Sequence, residues 1–310
     1  MRFNHRMFGP VLVPLLLQAV NSGASAAEPY FEQVIYPGSG VTVTSATGSN
    51  ARGDIVGQYI AMGVAHGYLL DRHGNFTAID FPGAIATNAF SINSPGDISG
   101  DFRLVPNGAI LGFVRRAGEW TTIDCSMTLG AVHTFALGIN SAGLVVGEYE
   151  VTPAPNLGAP GRAFLYQDGG CIDITPPDAQ PGTSAAVAWT VNDSGDAAGY
   201  YATPGGSHGW VRDRDGNFTT IDFPGSAFTN VRGINAAGDM VGVYRDVANG
   251  PNRGFLRSAD GAFSTLGYPG ATVNRALGIN ARGDVVGDYS GADCPINRCV
   301  WIWHRGNSSP

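Results

Sequence analysis

The stretch GINARGDVVGDY, Gly278 to Tyr289, constrains this chain more than any other. It reads as a short strand, a tight Asn-x-x-Gly turn and a second strand ending in Gly-x-aromatic. The pattern recurs upstream, so that its asparagine falls at Asn50, Asn93, Asn140, Asn192, Asn235 and Asn280. The intervals are 43, 47, 52, 43 and 45 residues. A near-fixed period of this size is the signature of a solenoid, a propeller or another array.

Each turn carries a glycine three residues after the asparagine: Gly53, Gly96, Gly143, Gly195, Gly238 and Gly283. That position calls for a positive φ, which glycine adopts without a steric penalty. A second glycine follows four residues later, at Gly57, Gly100, Gly147, Gly199, Gly242 and Gly287. Inside a strand, glycine marks a bulge or a close approach of another backbone.

A second hairpin follows the first. HGYLLDRHGNFTAIDFPG (His66 to Gly83) and HGWVRDRDGNFTTIDFPG (His208 to Gly225) are nearly the same, and RGFLRSADGAFSTLGYPG (Arg253 to Gly270) is close to both. Leu111 to Asp124 and Arg162 to Ile174 are looser copies. In the close copies, β-rich runs flank Asp-Gly or His-Gly, a strong hairpin signal. No stretch has a sustained helical period. Four antiparallel strands in roughly 45 residues is the arithmetic of a β-propeller blade.

The two ends complement each other. The last unit stops after Arg298 to Gly306, one strand short, while Tyr30 to Gly38 matches FTTIDFPG and has no strand before it. The expected fold is therefore all-β, a six-bladed propeller with four antiparallel strands per blade. Its last blade is completed by the N-terminal strand. A ring of this kind removes the exposed edge that an open array must cap. A β-solenoid and a pair of three-unit sandwiches are the rival architectures.

The GINxxGxVVGxY unit, with a triplet of the H-A-F or H-G-F kind after it, resembles the bacterial extracellular repeats of the HAF family. The resemblance spans nearly all of the chain after its leader. It implies an exported β-propeller-like repeat protein and brings no activity with it. The triplets here are HGY, LGF, RAF, HGW, RGF and RCV, so histidine stands only at His66 and His208.

Arg2 and Arg6 precede an apolar run from Met7 to Val20 and the small-residue stretch Ala24-Ser25-Ala26-Ala27. This is the form of a secretory signal peptide. Residues 1–26 are read as the leader and 27–310 as a single six-repeat domain, secreted or periplasmic. No second apolar stretch approaches the roughly 18 residues of a spanning helix. In an oxidising compartment the four cysteines read as disulfides. Cys294 and Cys299 enclose a short loop, which leaves Cys125 with Cys171. A zinc site built from all four is the rival, although a C-x2-C knuckle is missing.

Charged residues are 14% of the chain, against roughly 25% in an ordinary soluble domain. All 18 basic residues are arginines, which excludes lysine Schiff-base chemistry and a P-loop lysine. A net charge of −7 without a basic stripe argues against nucleic-acid binding.

In a propeller, the connections between units and those between the second and third strands share one face. Polar groups converging at that channel mouth are the default site. The candidates are Asn88, His133, Asn230, Arg232, Arg275, Arg245 and His208. The aromatics Tyr59, Phe102, Tyr149, Tyr201, Tyr244 and Tyr289 stand at one repeat position and read as packing between blades, with a sugar-stacking ring as the rival. Before them lie Asp101, Glu148 and Asp288, carboxylates of the kind that hold calcium or a catalytic metal. Otherwise no cofactor is called for. Gly205 to Gly209 matches G-x-S-x-G but lies between β-strands, not at a strand-to-helix turn.

Two functions compete. The first is a monomeric, non-catalytic binding protein that holds a glycan, a peptide or an envelope partner on the loop face. The second is a propeller enzyme, such as a metal-dependent lactonase or hydrolase or a glycan lyase, with its site at the channel mouth. The third unit departs most from the repeat. Its enlarged, proline-rich loops, Glu150 to Gly161 and Thr175 to Ala185, lack His, Cys and Lys and favour binding.

Overall fold

The structure is a computed structural model that describes residues 13–14, 30–151, 161–179 and 186–305. The expected leader, apart from Val13–Pro14, and the middles of both enlarged third-unit loops lie outside these residues. The described chain is an all-β propeller. One helical turn, Ser126–Leu129, interrupts the strands.

Successive hairpins build the sheets. The first unit contributes Val41–Ser49, Ile55–Ala61, Val64–Leu70 and Phe76–Ile79, hydrogen-bonded in chain order from the innermost strand outward. Two more four-stranded sheets, starting from the innermost strands Ala86–Ile92 and His133–Ile139, repeat this order. An eight-stranded sheet holds the next two units, which are joined by a parallel pairing of Ser207 with Phe228. In the final sheet, Val273–Ile279, Val285–Ser290 and Cys299–His304 are followed on the outside by Tyr30–Val34, which runs antiparallel to Cys299–His304. Val13–Pro14 pairs with Tyr30–Val34 in turn.

The six innermost strands contact one another in sequence, and Val273–Ile279 returns to Val41–Ser49. Their approach is close enough to require glycine. A Cβ on Gly48 would stand 2.8 Å from the Phe90 carbonyl oxygen, and one on Gly278 would stand 2.9 Å from that of Thr47.

The turn asparagines join these strands. Each side-chain amide donates to the main-chain carbonyl of the next repeat's asparagine, and Asn280 donates to Asn50, at 3.0–3.4 Å. The six bonds form a closed circle. Each Oδ1 also accepts two backbone N–H groups of its own turn, for example those of Ala237 and Asp239 at Asn235. The expected positive φ is present at all six turn glycines, from 83° at Gly283 to 101° at Gly96.

Between units, the six repeated aromatics are buried, from 1% exposed at Tyr289 to 9% at Tyr59. They pack between blades, as the repeat predicts. Tyr36 stacks on Tyr59, Phe81 on Phe102, Phe223 on Tyr244 and Tyr268 on Tyr289, with ring centres 3.6–4.2 Å apart. At the junction of the second and third units, Cys125 occupies the position of Phe81, and it is bonded to Cys171 of the next unit. Cys294 and Cys299 form the second disulfide.

Candidate functional site

Asparagines and the ends of the innermost strands line one mouth of the ring, where the depression holds only about 90 Å³. Ligand pockets run to roughly 300–1,000 Å³, so that mouth is closed by its own hydrogen bonds. The wall further in is more varied. Each innermost strand slips register by one residue against its neighbour, between Ala46 and Gly48 in the first unit and between Val231 and Gly233 in the fifth. The bulged residues stand three before each turn asparagine: Thr47, Phe90, Leu137, Trp189, Arg232 and Leu277.

At two of these positions the repeat has been broken chemically. The Arg232 guanidinium lies over the Trp189 ring, its Cζ 3.4 Å from the ring centre. It makes no hydrogen bond or ion pair to another described residue. Burial, with added repulsion from Arg275, pushes its pKa down to about 9, while Asp288 and Tyr200 oppose the fall. Nearby, the Trp189 indole N–H and the Asn230 amide oxygen are buried without hydrogen-bond partners among the described residues.

Asp288, 1% exposed, anchors the neighbouring wall. Both of its oxygens accept from Arg275, by Nε at 2.6 Å and also by Nη2. Ser45 of the first unit donates to it at 2.9 Å, and Arg298 lies 3.8 Å away. Burial pulls Arg298 below its ordinary pKa despite that carboxylate. Three guanidiniums, Arg232, Arg275 and Arg298, therefore gather around the single side chain of Asp288. The other inner carboxyls do not balance them. Burial raises Asp101 to about 7 against the hydrogen bond from Asn88, and it raises Glu148 to about 8, with Glu150 adding repulsion. Tyr200, also raised by burial, couples electrostatically to Glu148 and to Arg232.

Of the residues singled out in the sequence, Arg232 and Arg275 come together, with Asn230 on the same strand as Arg232. Asn88 is committed to Asp101 at 2.8 Å. His133 is 7% exposed and accepts the Ile110 N–H at 3.0 Å, tying the second unit to the third. Arg245 covers Phe228 and donates to Asn252 and Ala248, which fixes its own loop. His208 pairs with Asp222 at 2.9 Å, as His66 does with Asp80 at 3.1 Å. Gly206–Arg212, which contains most of the G-x-S-x-G match, is a hairpin strand. Trp189, Tyr200, Ser45 and Arg298 were not singled out. Aligning on the turn asparagine places Trp189 and Arg232 in one column, Thr-Phe-Leu-Trp-Arg-Leu, the signal that would have found them. Among the described residues, no group of three or more His, Cys, Asp or Glu is placed to hold a metal ion.

No family model and no curated protein matches the chain. Solved structures do. A catalytically inactive virginiamycin B lyase from Staphylococcus aureus, determined with quinupristin, is 10% identical over 90% of this chain and 100% of its own, with a TM-score of 0.50. TolB from Acinetobacter baumannii is 16% identical over 77% of this chain and 60% of its own, at 0.49. The β-propeller domain of the Trilobed protease from Pyrococcus furiosus is 9% identical over 79% of this chain and 96% of its own, at 0.42. At 10% identity the likeness to the lyase is one of fold.

Proposed function

We propose that this chain is an exported, six-bladed binding propeller, closed by Tyr30–Val34, that holds an anionic group of an extracellular glycan or envelope polymer against its inner wall. Reading the eight-stranded sheet as two blades gives six. The circle of asparagine hydrogen bonds and the pairing of Tyr30–Val34 with Cys299–His304 support that count and closure. Two disulfides, the expected leader and the resemblance to exported HAF-type repeats support export. Among the described residues no helix is long and apolar enough to cross a membrane.

One observation carries the ligand class: the Arg232 guanidinium, stacked on Trp189 and without an acceptor among the described residues. A desolvated cation without a counter-charge is costly, and a planar guanidinium matches a carboxylate or sulfate with two parallel hydrogen bonds. Trp189 adds an aromatic face of the kind that packs on a sugar. The test is calorimetric titration of residues 27–310 with oligogalacturonate and with the same oligomer reduced to its neutral alcohol. The acidic oligomer binds and the neutral one does not. Arg232→Gln weakens binding roughly ten- to a hundred-fold, the worth of about 1.5–3 kcal/mol in hydrogen bonds to a charged group. Equal affinity for both oligomers, or an unaffected variant, contradicts the reading.

The enzyme reading keeps one supporting observation. Glu148, protonated to about pH 8, couples to Tyr200 beside Arg232, a proton donor near a charge-stabilising cation. Shortened oligomers in the titration mixture would favour it.

A further inference from the structure

A cavity of about 320 Å³ opens between the first and last units, away from the inner wall. Its floor is apolar: Val34, Ile55, Leu70, Phe76, Val286 and Ile302. It exists because the first unit departs from the repeat. Leu70 ends its third strand, pairing with Phe76. The matching positions hold Arg115, Tyr166, Arg212, Arg257 and Trp303, all longer side chains. Four of them pack over the corresponding aromatics and interblade cores of their own units. Arg115 covers Trp120 and Arg257 covers Phe263, with the guanidinium 5.5 and 5.7 Å from the ring centre. Tyr166 and Trp303 pack against the interblade cores. Leucine is too short to do this, and Phe76 keeps part of its surface toward the gap.

The rim gives the gap a polarity. Arg52 pairs with Asp54 and Arg282 with Asp284, each across the glycine of its own turn. His304, raised to about 9 by its bonds to Asp284 and Glu32, occupies those carboxylates further. Asp71 is spent on the backbone and side chain of its own turn. Arg72 donates to His73 and has no carboxylate partner among the described residues. An apolar floor beside the Arg72 guanidinium, which makes no ion pair with another described residue, suits a compact hydrophobic anion.

We propose that this interblade gap is a second binding site, for a small apolar or aromatic molecule that carries an acidic group. Its volume suits one molecule of about fifteen to twenty heavy atoms, near the lower end of ligand pockets. Because it joins the first unit to the last, a bound molecule stabilises the ring by mass action.

The test uses residues 27–310 with anilinonaphthalenesulfonate as the acidic probe and phenylnaphthylamine as its neutral counterpart. The acidic dye should bind saturably at one per chain and raise the Tm. Leu70→Arg and Leu70→Tyr, which install the residues of sibling units, should abolish that binding in folded protein. Arg72→Gln should weaken the sulfonate dye and leave the neutral one unchanged. Arg232→Gln should alter neither, which separates this site from the inner wall. Absence of saturable binding, binding that survives either folded Leu70 variant, or binding lost in Arg232→Gln overturns the proposal.

Discussion

The turn asparagine does three things at once. It accepts two backbone N–H groups inside its own turn, donates to an aspartate four residues on in five of the six repeats, and donates to the next repeat's carbonyl. A residue with two donors and an acceptor is required for this, and aspartate lacks the donors. The third repeat has Leu144 in place of the aspartate, and there Asp193 of the next turn caps Ser141 instead. Asp101 makes the opposite use of a polar group. Held protonated to about 7 instead of its ordinary 3.8, it binds a proton in the folded state that the unfolded chain has released. Stability contributed in this way is complete below the ordinary value and lost as pH rises toward 7, and Glu148 extends the same slope toward 8. Asp101→Asn should therefore match the wild type near pH 4 and exceed it near pH 8 in a series of thermal melts. Parallel melting profiles at all pH values would show that Asp101 is ionised in the folded protein.

At the scale of the strand and the blade, most of the architecture was legible. Glycines at fixed offsets marked the turns and the close approaches: a Cβ on Gly57 would sit 1.9 Å from the Ser45 carbonyl oxygen, and one on Gly199 would sit 1.7 Å from that of Val187. The aromatic position, the Asp-Gly hairpins and the cysteine pairing were equally plain, because each is dictated within one repeat or by elimination. The site was less legible. His133, Arg245 and His208 looked free on the loop face, yet each serves a local hydrogen bond across a sheet or loop. Trp189, the partner of Arg232, escaped notice because a bulge shifts the alternation of side chains by one residue, so strand parity misassigns the inner wall. The Cys125–Cys171 disulfide belongs to this scale too. It stands where other junctions have Phe81 against Trp120 or Phe223 against Phe263. It closes 46 residues, worth about 4 kcal/mol in the chain-entropy model, against about 2 kcal/mol for the five-residue Cys294–Cys299 loop. In denaturant titrations, Cys125→Ala with Cys171→Ala should cost more than the pair Cys294→Ala and Cys299→Ala. A larger loss from the short loop would contradict the junction's role.

The whole molecule is an economy of one motif used repeatedly, with chemistry left to the exceptions. Arg232 and Trp189 break the inner column, and Leu70 breaks the outer one. Both proposed sites depend on the ring being shut. Asp288 of the last unit meets Ser45 of the first, and the gap beside Leu70 is walled by Val34 and Ile302. In the last sheet the outer strand is Tyr30–Val34, from the far end of the chain, paired with Cys299–His304. The decisive measurement is native-state hydrogen exchange on residues 27–310, followed through the peptide spanning Tyr30 to Pro37. In a closed ring its strand amides exchange as slowly as those of Val285–Ser290, through global opening alone. Exchange at the rate of a free terminus, while the other sheets stay protected, would mean that the ring is not closed by this strand.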